Sequence, residues 1–197
     1  VSGDYSINEI VTLCNYQNIG IICDHKLYKN TKYVKGIIDK LINRYNTHLI
    51  FYDYKFEPSY QYLDYLMQGI RIKKLDLELD AWLGIGGGSS MDTAKGLAFL
   101  CSNPGPSIQY KGFPTGLKHP LPVIAIPSTA GSGSEVSFNA SFIDEKSKTK
   151  LGINDKYNYP AVSILDPKIV SSAPRSVIAS SGCDALVHAL ESFVSKR

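Results

Sequence analysis

The chain has 197 residues, 44% hydrophobic and 20% charged, with a formal net charge of +3. That suffices to bury a core, and the charge is spread too evenly for a nucleic-acid arm, with only short clusters such as Lys73-Lys74 and Lys146 to Lys150. The four cysteines form no CxxC pair, and Cys14, Cys23 and Cys101 sit in apolar segments where thiols pack as small hydrophobes, which predicts a reducing, cytoplasmic setting.

In chain order, short apolar runs alternate with helical patterns. Strands are predicted at Asn18 to Cys23, His48 to Tyr52, Ala81 to Ile85 and Leu121 to Ile126. Between them, Val34, Ile37, Ile38, Leu41 and Ile42 recur at helical spacing, and Pro58 can open a second helix carrying Tyr62, Leu66 and Ile70. The order β-α-β-α-β-α-β predicts an α/β fold of Rossmann-like type, an open, mostly parallel sheet with helices on both faces. After Glu135, "SFNASFID" and "KTKLGIND" read as two strands joined by a polar turn at Glu145 to Lys148, and "AVSILDP" as another strand whose Asp166 caps the next turn. Residues 1–172 then form one domain, and 173–197, helical throughout, begin a second. No apolar run approaches the roughly 18 residues that span a bilayer, and no export signal opens the chain, so no membrane association is expected. The first residue is Val1 rather than Met, as in a cropped or processed chain.

Two glycine-rich turns follow predicted strands. In "LGIGGGSSMDTAKGLAFLC" a strand runs through Gly86, Gly87 and Gly88 into an amphipathic helix with Ala94, Leu97, Ala98 and Cys101 on one face. Such a junction points backbone N–H groups outward at the positive end of a helix, where a phosphate can approach a residue without Cβ. Tight helix-to-sheet packing explains a glycine triplet as well. The turn is no Walker loop, and Ser89 holds the third glycine position of the usual dinucleotide fingerprint. In "AIPSTAGSGSEVS", Ser128, Thr129, Ser132 and Ser134 offer hydroxyls while Gly131 and Gly133 permit close approach. Two such turns at the carboxyl ends of strands favour a nucleotide, because that edge is where open α/β sheets bind ligands. A serine hydrolase is disfavoured, since no serine sits in G-x-S-x-G.

Near the carboxyl end, "GCDALVHALES" places Asp184 and His188 four residues apart, on one face if helical. A carboxylate and an imidazole suit Zn²⁺, Fe²⁺ or Mn²⁺, which normally take at least about three protein ligands. An exposed helical pair is the plainer alternative. His25, His48 and His119 read as surface or packing histidines.

Taken together and in this order, "GGGSSMDTAK", "IPSTAGSGSEV" and "GCDALVHALES" resemble the iron-containing (group III) alcohol dehydrogenase family, whose fold is shared with dehydroquinate synthase. The resemblance implies an amino-terminal domain that binds NAD, with NADP less favoured, and a helical domain that completes a site for Fe²⁺ or alternatively Zn²⁺. It implies that Gly86, Gly87, Gly88, Ser89 and Asp92 meet the pyrophosphate, and Ser128, Thr129 and Ser132 the phosphate and nicotinamide side. Lys150 would lie near the nicotinamide ribose and Asp24 at the adenosine ribose, with Asp184 and His188 as the first two metal ligands. The implied reaction is hydride transfer between a small alcohol and its aldehyde or ketone in a homodimer or larger homo-oligomer, with no nucleic-acid partner. Many members carry Asn-Pro where this chain has Glu57-Pro58, so an adenine-side contact is expected to differ. The family's remaining ligands are histidines farther along, so the chain is expected to be the amino-terminal portion of a longer dehydrogenase, inactive alone. A dehydroquinate synthase-like lyase and a non-catalytic nucleotide-binding module are the competing readings.

Overall fold

The computed structural model describes residues 15–53 and 57–196; Cys14 lies outside them. The major elements run β1 (Asn18–Asp24), α1 (His25–Asn30), α2 (Lys32–Arg44), β2 (Asn46–Tyr52), α3 (Tyr60–Ile72), β3 (Ala81–Gly86), α4 (Gly88–Ser102) and β4 (Val123–Pro127). Four two-residue strands follow, β5 (Asn139–Ala140), β6 (Ile143–Asp144), β7 (Thr149–Lys150) and β8 (Ile153–Asn154), then β9 (Val162–Ser163), α5 (Pro167–Ser171) and α6 (Arg175–Val194). The main sheet has the order β2-β1-β3-β4-β9, with every pairing parallel. The chain therefore reverses its direction of travel across the sheet between β1 and β3, and a crevice opens there at the carboxyl edge.

Side-chain alternation sorts the core into two layers. Ile19, Ile21 and Cys23 of β1 and Leu83 and Ile85 of β3 bury against Val34, Ile37, Ile38 and Leu41 of α2 and Ile169 of α5. On the opposite face, Ile22 and Trp82 meet Leu63, Met67 and Ile70 of α3 and Leu97 and Ala98 of α4. Fully burying one such side chain is worth about 1.5–3 kcal/mol, so a slip of one residue would forfeit several of these at once, and register is fixed. The predicted α/β architecture with helices on both faces is observed.

Three local expectations change. The helix after Pro58 begins at Tyr60 behind the cap Ser59, and it buries Tyr60, Leu63, Met67 and Ile70 while Tyr62 and Leu66 are only partly covered. The buried stripe is thus set mainly by residues one position removed from those expected. α4 is not amphipathic: every residue from Ser90 to Leu100 is buried, because α3 and Phe142 cover the side away from the sheet. The expected two-stranded hairpin is split, with β6 pairing β7 and β5 pairing β8, because Phe142 turns into the core beside Tyr60 and the Ile143 amide donates to Pro58 O. Asp166 caps α5 as expected, accepting from the Lys168 amide at 2.8 Å. α6 has no buried residue. Against the reading that no segment suits a bilayer, it is long and apolar enough by length and composition alone. Alanine and serine lengthen its apolar stretch, yet Asp184 and His188 lie within it.

Candidate functional site

The Gly86–Gly88 turn links β3 to α4. Gly86 has φ +150°, and a Cβ there would come within 2.5 Å of Ser90 Oγ, so this position requires glycine for backbone reasons. Gly87 differs: its backbone is extended, and a Cβ would meet only Thr129, at 3.7 Å. The protein's own packing does not demand a bare backbone at Gly87. Gly87 also opens α4 without a side-chain cap, leaving the helix start polarised toward the crevice. A helix start of this kind, open and with unpaired amides, is a suitable place for an anion, which needs both the space and the donors.

The second turn is tied to the first. The Ser128 amide donates to Gly86 O at 2.7 Å, continuing the β3–β4 ladder into the loops. Beneath them lies a buried charge pair. Lys95, fully buried on α4, donates from Nζ to Ser134 O at 2.5 Å, Ser137 O at 3.0 Å and Asn139 O at 3.0 Å. Asp92, one turn earlier, lies 3.8 Å from the Lys95 ammonium and accepts from Ser134 Oγ at 2.5 Å and the Ser141 amide at 3.1 Å. Burial pushes the Asp92 carboxyl up and the Lys95 ammonium down, while each partner opposes the other's shift. Every strong acceptor Lys95 needs is present, so the pair holds the serine-rich loop and the hairpin to α4.

These elements enclose a cleft of about 480 Å³. Its walls bring together Gly88, Ser89, Asp92, Thr129, Ser132 and Lys150 with Asp184 and His188. Asp24, Gly86, Gly87 and Ser128 stand outside this lining, at the same edge of the sheet: a Cβ on Gly86 would lie 3.1 Å from Asp24 Cβ, and the Ser128 amide bonds Gly86 O. Asp24 Oδ1 also caps α1 by accepting from the Leu27 amide at 2.8 Å. The Asp92 carboxyl, expected to meet a pyrophosphate, lines the cleft while it accepts from Ser134 Oγ and the Ser141 amide. Glu57, expected on the adenine side, faces the cleft and accepts from Lys150 Nζ at 2.8 Å.

α6 forms the last wall. Gly131 is required by close approach, since a Cβ there would run into the Ser181 carbonyl. His188 Nδ1 lies 3.2 Å from Gly131 O, and in the tautomer protonated at Nδ1 it donates there, leaving the Nε2 lone pair free. Nε2 lies 3.8 Å from Asp184 Oδ1. A backbone carbonyl fixing the far nitrogen is the usual support for a metal-binding histidine, so the donor types fit a divalent ion. Their number does not suffice alone: among the described residues no group of three or more His, Cys, Asp or Glu could hold a metal.

Lys95 was not anticipated as a site-shaping residue, and the ion pair of Glu57 with Lys150 was not anticipated either. Lys95 had one signal in the sequence, a lysine three positions after Asp92 inside an apolar helix. Of the remaining histidines, His25 bonds Asp53 and His119 packs on Tyr157 with ring centroids 3.5 Å apart.

Comparison with known proteins agrees with this geometry. Residues 1–167 match the family described as iron-containing alcohol dehydrogenase. Alcohol dehydrogenase 4 of Schizosaccharomyces pombe is 41% identical over 128 residues, 65% of this chain and 30% of that protein. The NAD-dependent methanol dehydrogenase of Bacillus methanolicus is 38% identical over 129 residues, 66% of this chain and 34% of that protein. The crystal structure of sulfoacetaldehyde reductase from Bifidobacterium kashiwanohense in complex with NAD⁺ superposes with a TM-score of 0.83 at 28% identity, covering 99% of this chain and 51% of that one. The chain thus spans about a third of the length of these curated relatives and half of the solved structure.

Proposed function

This chain belongs to the iron-containing alcohol dehydrogenase family, and on that premise we propose that it is the nucleotide-binding portion of an NAD-dependent, metal-dependent oxidoreductase interconverting a small alcohol and its aldehyde or ketone. The observation that carries the reading is the meeting of three sequence-distant segments in one cleft: the Gly88–Ser89 helix start, the Thr129–Ser132 loop and the Asp184–His188 pair.

In this reading the pyrophosphate lies across Gly87 and the first amides of α4, with Ser89, Thr129 and Ser132 donating hydroxyls. Asp24 accepts from the adenosine ribose hydroxyls, which favours NAD over NADP because a carboxylate repels a 2′-phosphate. Lys150, restrained by Glu57, borders the nicotinamide ribose. Asp92 and Lys95 act through the loops they anchor. Asp184 and His188 contribute two ligands to Fe²⁺, or alternatively Zn²⁺, with Gly131 O setting the imidazole tautomer. When bound, NAD supplies the hydride acceptor or donor and the metal ion the Lewis acidity for the substrate oxygen. We assign α6 to the start of the metal-binding portion. A homodimer or larger assembly and a reducing, cytoplasmic setting complete the proposal; burial pushes the Cys23 thiol up to about 12, which suits an inert thiol.

Calorimetry with NADH tests the assignment. The chain should bind NADH, and Gly87→Val should remove binding while leaving the fold intact, since the new side chain would occupy the anion's space and little else. Unchanged affinity in a folded Gly87→Val variant would overturn the placement of the pyrophosphate.

A further inference from the structure

The carboxyl ends of β1 and β2 carry a charge arrangement outside the cleft just described. β1 and β2 pair in parallel with Asp24 opposite Tyr52, so the residues that follow, His25 and Asp53, stand side by side at the same edge. His25 Nδ1 lies 2.9 Å from Asp53 Oδ2, and its ring packs on Phe51 with centroids 4.9 Å apart. The carboxylate is mostly exposed and the imidazole mostly covered, with side-chain accessibilities of 64% and 25%. The bond to His25, and beyond it the charges of His25, Lys29 and Lys26, hold the Asp53 carboxyl below the usual carboxylate range. One exposed carboxylate thus anchors His25, the residue next to Asp24, and offsets the charges of two lysines on α1.

Their location gives the arrangement a consequence. Asp24 borders the crevice between β1 and β3 and touches the Gly86 position. Resting on the NAD reading above, we propose that Asp53 is a second cofactor-selecting residue: it holds His25 back and offsets Lys26 and Lys29, so that the basic groups beside Asp24 do not receive the 2′-phosphate of NADP. Asp24 repels that phosphate directly, whereas Asp53 acts as a positioning residue through His25. Without Asp53 the imidazole loses its anchor, and the two ammonium groups face a dianionic phosphate with less opposition.

Calorimetry of NADH and NADPH binding to the wild-type chain, Asp53→Ala, His25→Ala and the double variant tests this. Asp53→Ala should raise NADPH affinity by about twofold to fivefold, the scale of one exposed ion pair, and leave NADH affinity unchanged. The gain should shrink in high salt, as exposed-charge effects do, and shrink again in the His25→Ala background. A purely structural role would alter both nucleotides together. Equal changes for NADH and NADPH, no change for either, or the same gain without His25 would each overturn the proposal. A wild-type chain that binds neither nucleotide would bring down the NAD reading, and this inference with it. Asp53 is exposed, so folding is expected to survive; thermal melts of each variant confirm that a lost response is not lost structure.

Discussion

Lys95 Nζ and Ser134 O lie 2.5 Å apart, a contact that joins the buried middle of α4 to the serine-rich loop at the mouth of the cleft. The same ammonium reaches Ser137 O and Asn139 O, so one side chain closes three backbone carbonyls and faces Asp92. Lys95→Met would take the ammonium from those carbonyls, leaving Ser134 O and Asn139 O with only long contacts from Ser137 at 3.4 Å, and would leave Asp92 buried without its cation. Breaking one partner of a buried pair costs about 3–5 kcal/mol. Denaturant titration should show a loss of that order, and the Asp92→Asn, Lys95→Met double variant should lose less than the sum of its parts. An additive double variant would show that the pair does not act as a unit.

Gly131 and Ser181 set how close α6 can come to the loop. Gly131→Ala would place a methyl against the Ser181 carbonyl, and relief must come from the helix, which has no buried side chain to hold it. Overpacking of this kind costs about 1–3 kcal/mol. Hydrogen exchange of residues 175–194 should therefore accelerate in Gly131→Ala while the exchange of β1 and β3 stays slow. Unaltered protection of α6 would show that the close approach is not what docks it.

Metal binding should be weak in the 197-residue chain. In the proposed site Asp184 and His188 would supply two ligands where a divalent ion usually takes about three or more, so water would fill the rest of the coordination sphere. Titration with Fe²⁺ or Zn²⁺ should give an affinity that His188→Ala abolishes, and no alcohol-dependent formation of NADH should accompany it. Tight stoichiometric binding with turnover would require further ligands from another copy of the chain.

Acid should act through Asp144. The Lys111 ammonium, the Ser147 hydroxyl and two turn amides hold its carboxyl well below the usual carboxylate range in the folded protein. A depressed folded value means that the stabilisation is complete above the unfolded carboxylate value of about 3.9 and is lost as pH falls from there toward the folded value. Melting temperatures of wild type and Asp144→Asn should differ by a constant amount from neutral pH down to about pH 4 and draw together progressively below it. A difference that stays constant at the lower pH values as well would place the effect in packing rather than charge.

Much of this molecule was legible in its residues. Ile19, Ile21 and Cys23 alternate along one strand, Val34, Ile37, Ile38 and Leu41 recur at helical spacing, and Gly86–Gly88 marks a strand-to-helix junction; each signal is local and needs no partner to be read. Asp184 and His188 shared a face for the same reason, their spacing matching the helical repeat.

What the sequence could not decide depends on which distant segments meet. The order β2-β1-β3-β4-β9 puts Asp24 beside Gly86 and His25 beside Asp53, although the members of each pair are far apart in the chain. The hairpin that covers α4 turns an apparently amphipathic helix into a buried one, and that burial makes Lys95 and Asp92 an anchor rather than a surface pair. Glu57 joins Lys150 because the Ile143 amide donates to the Pro58 carbonyl, Ser59 Oγ donates to Glu145 and the Tyr60 hydroxyl donates to Leu151 O, which together hold the two segments side by side. Periodicity reports the face a residue occupies within its own element. The surface that covers that face, and the charge that pays for burying a lysine there, come from packing between elements and are fixed only when the chain is folded.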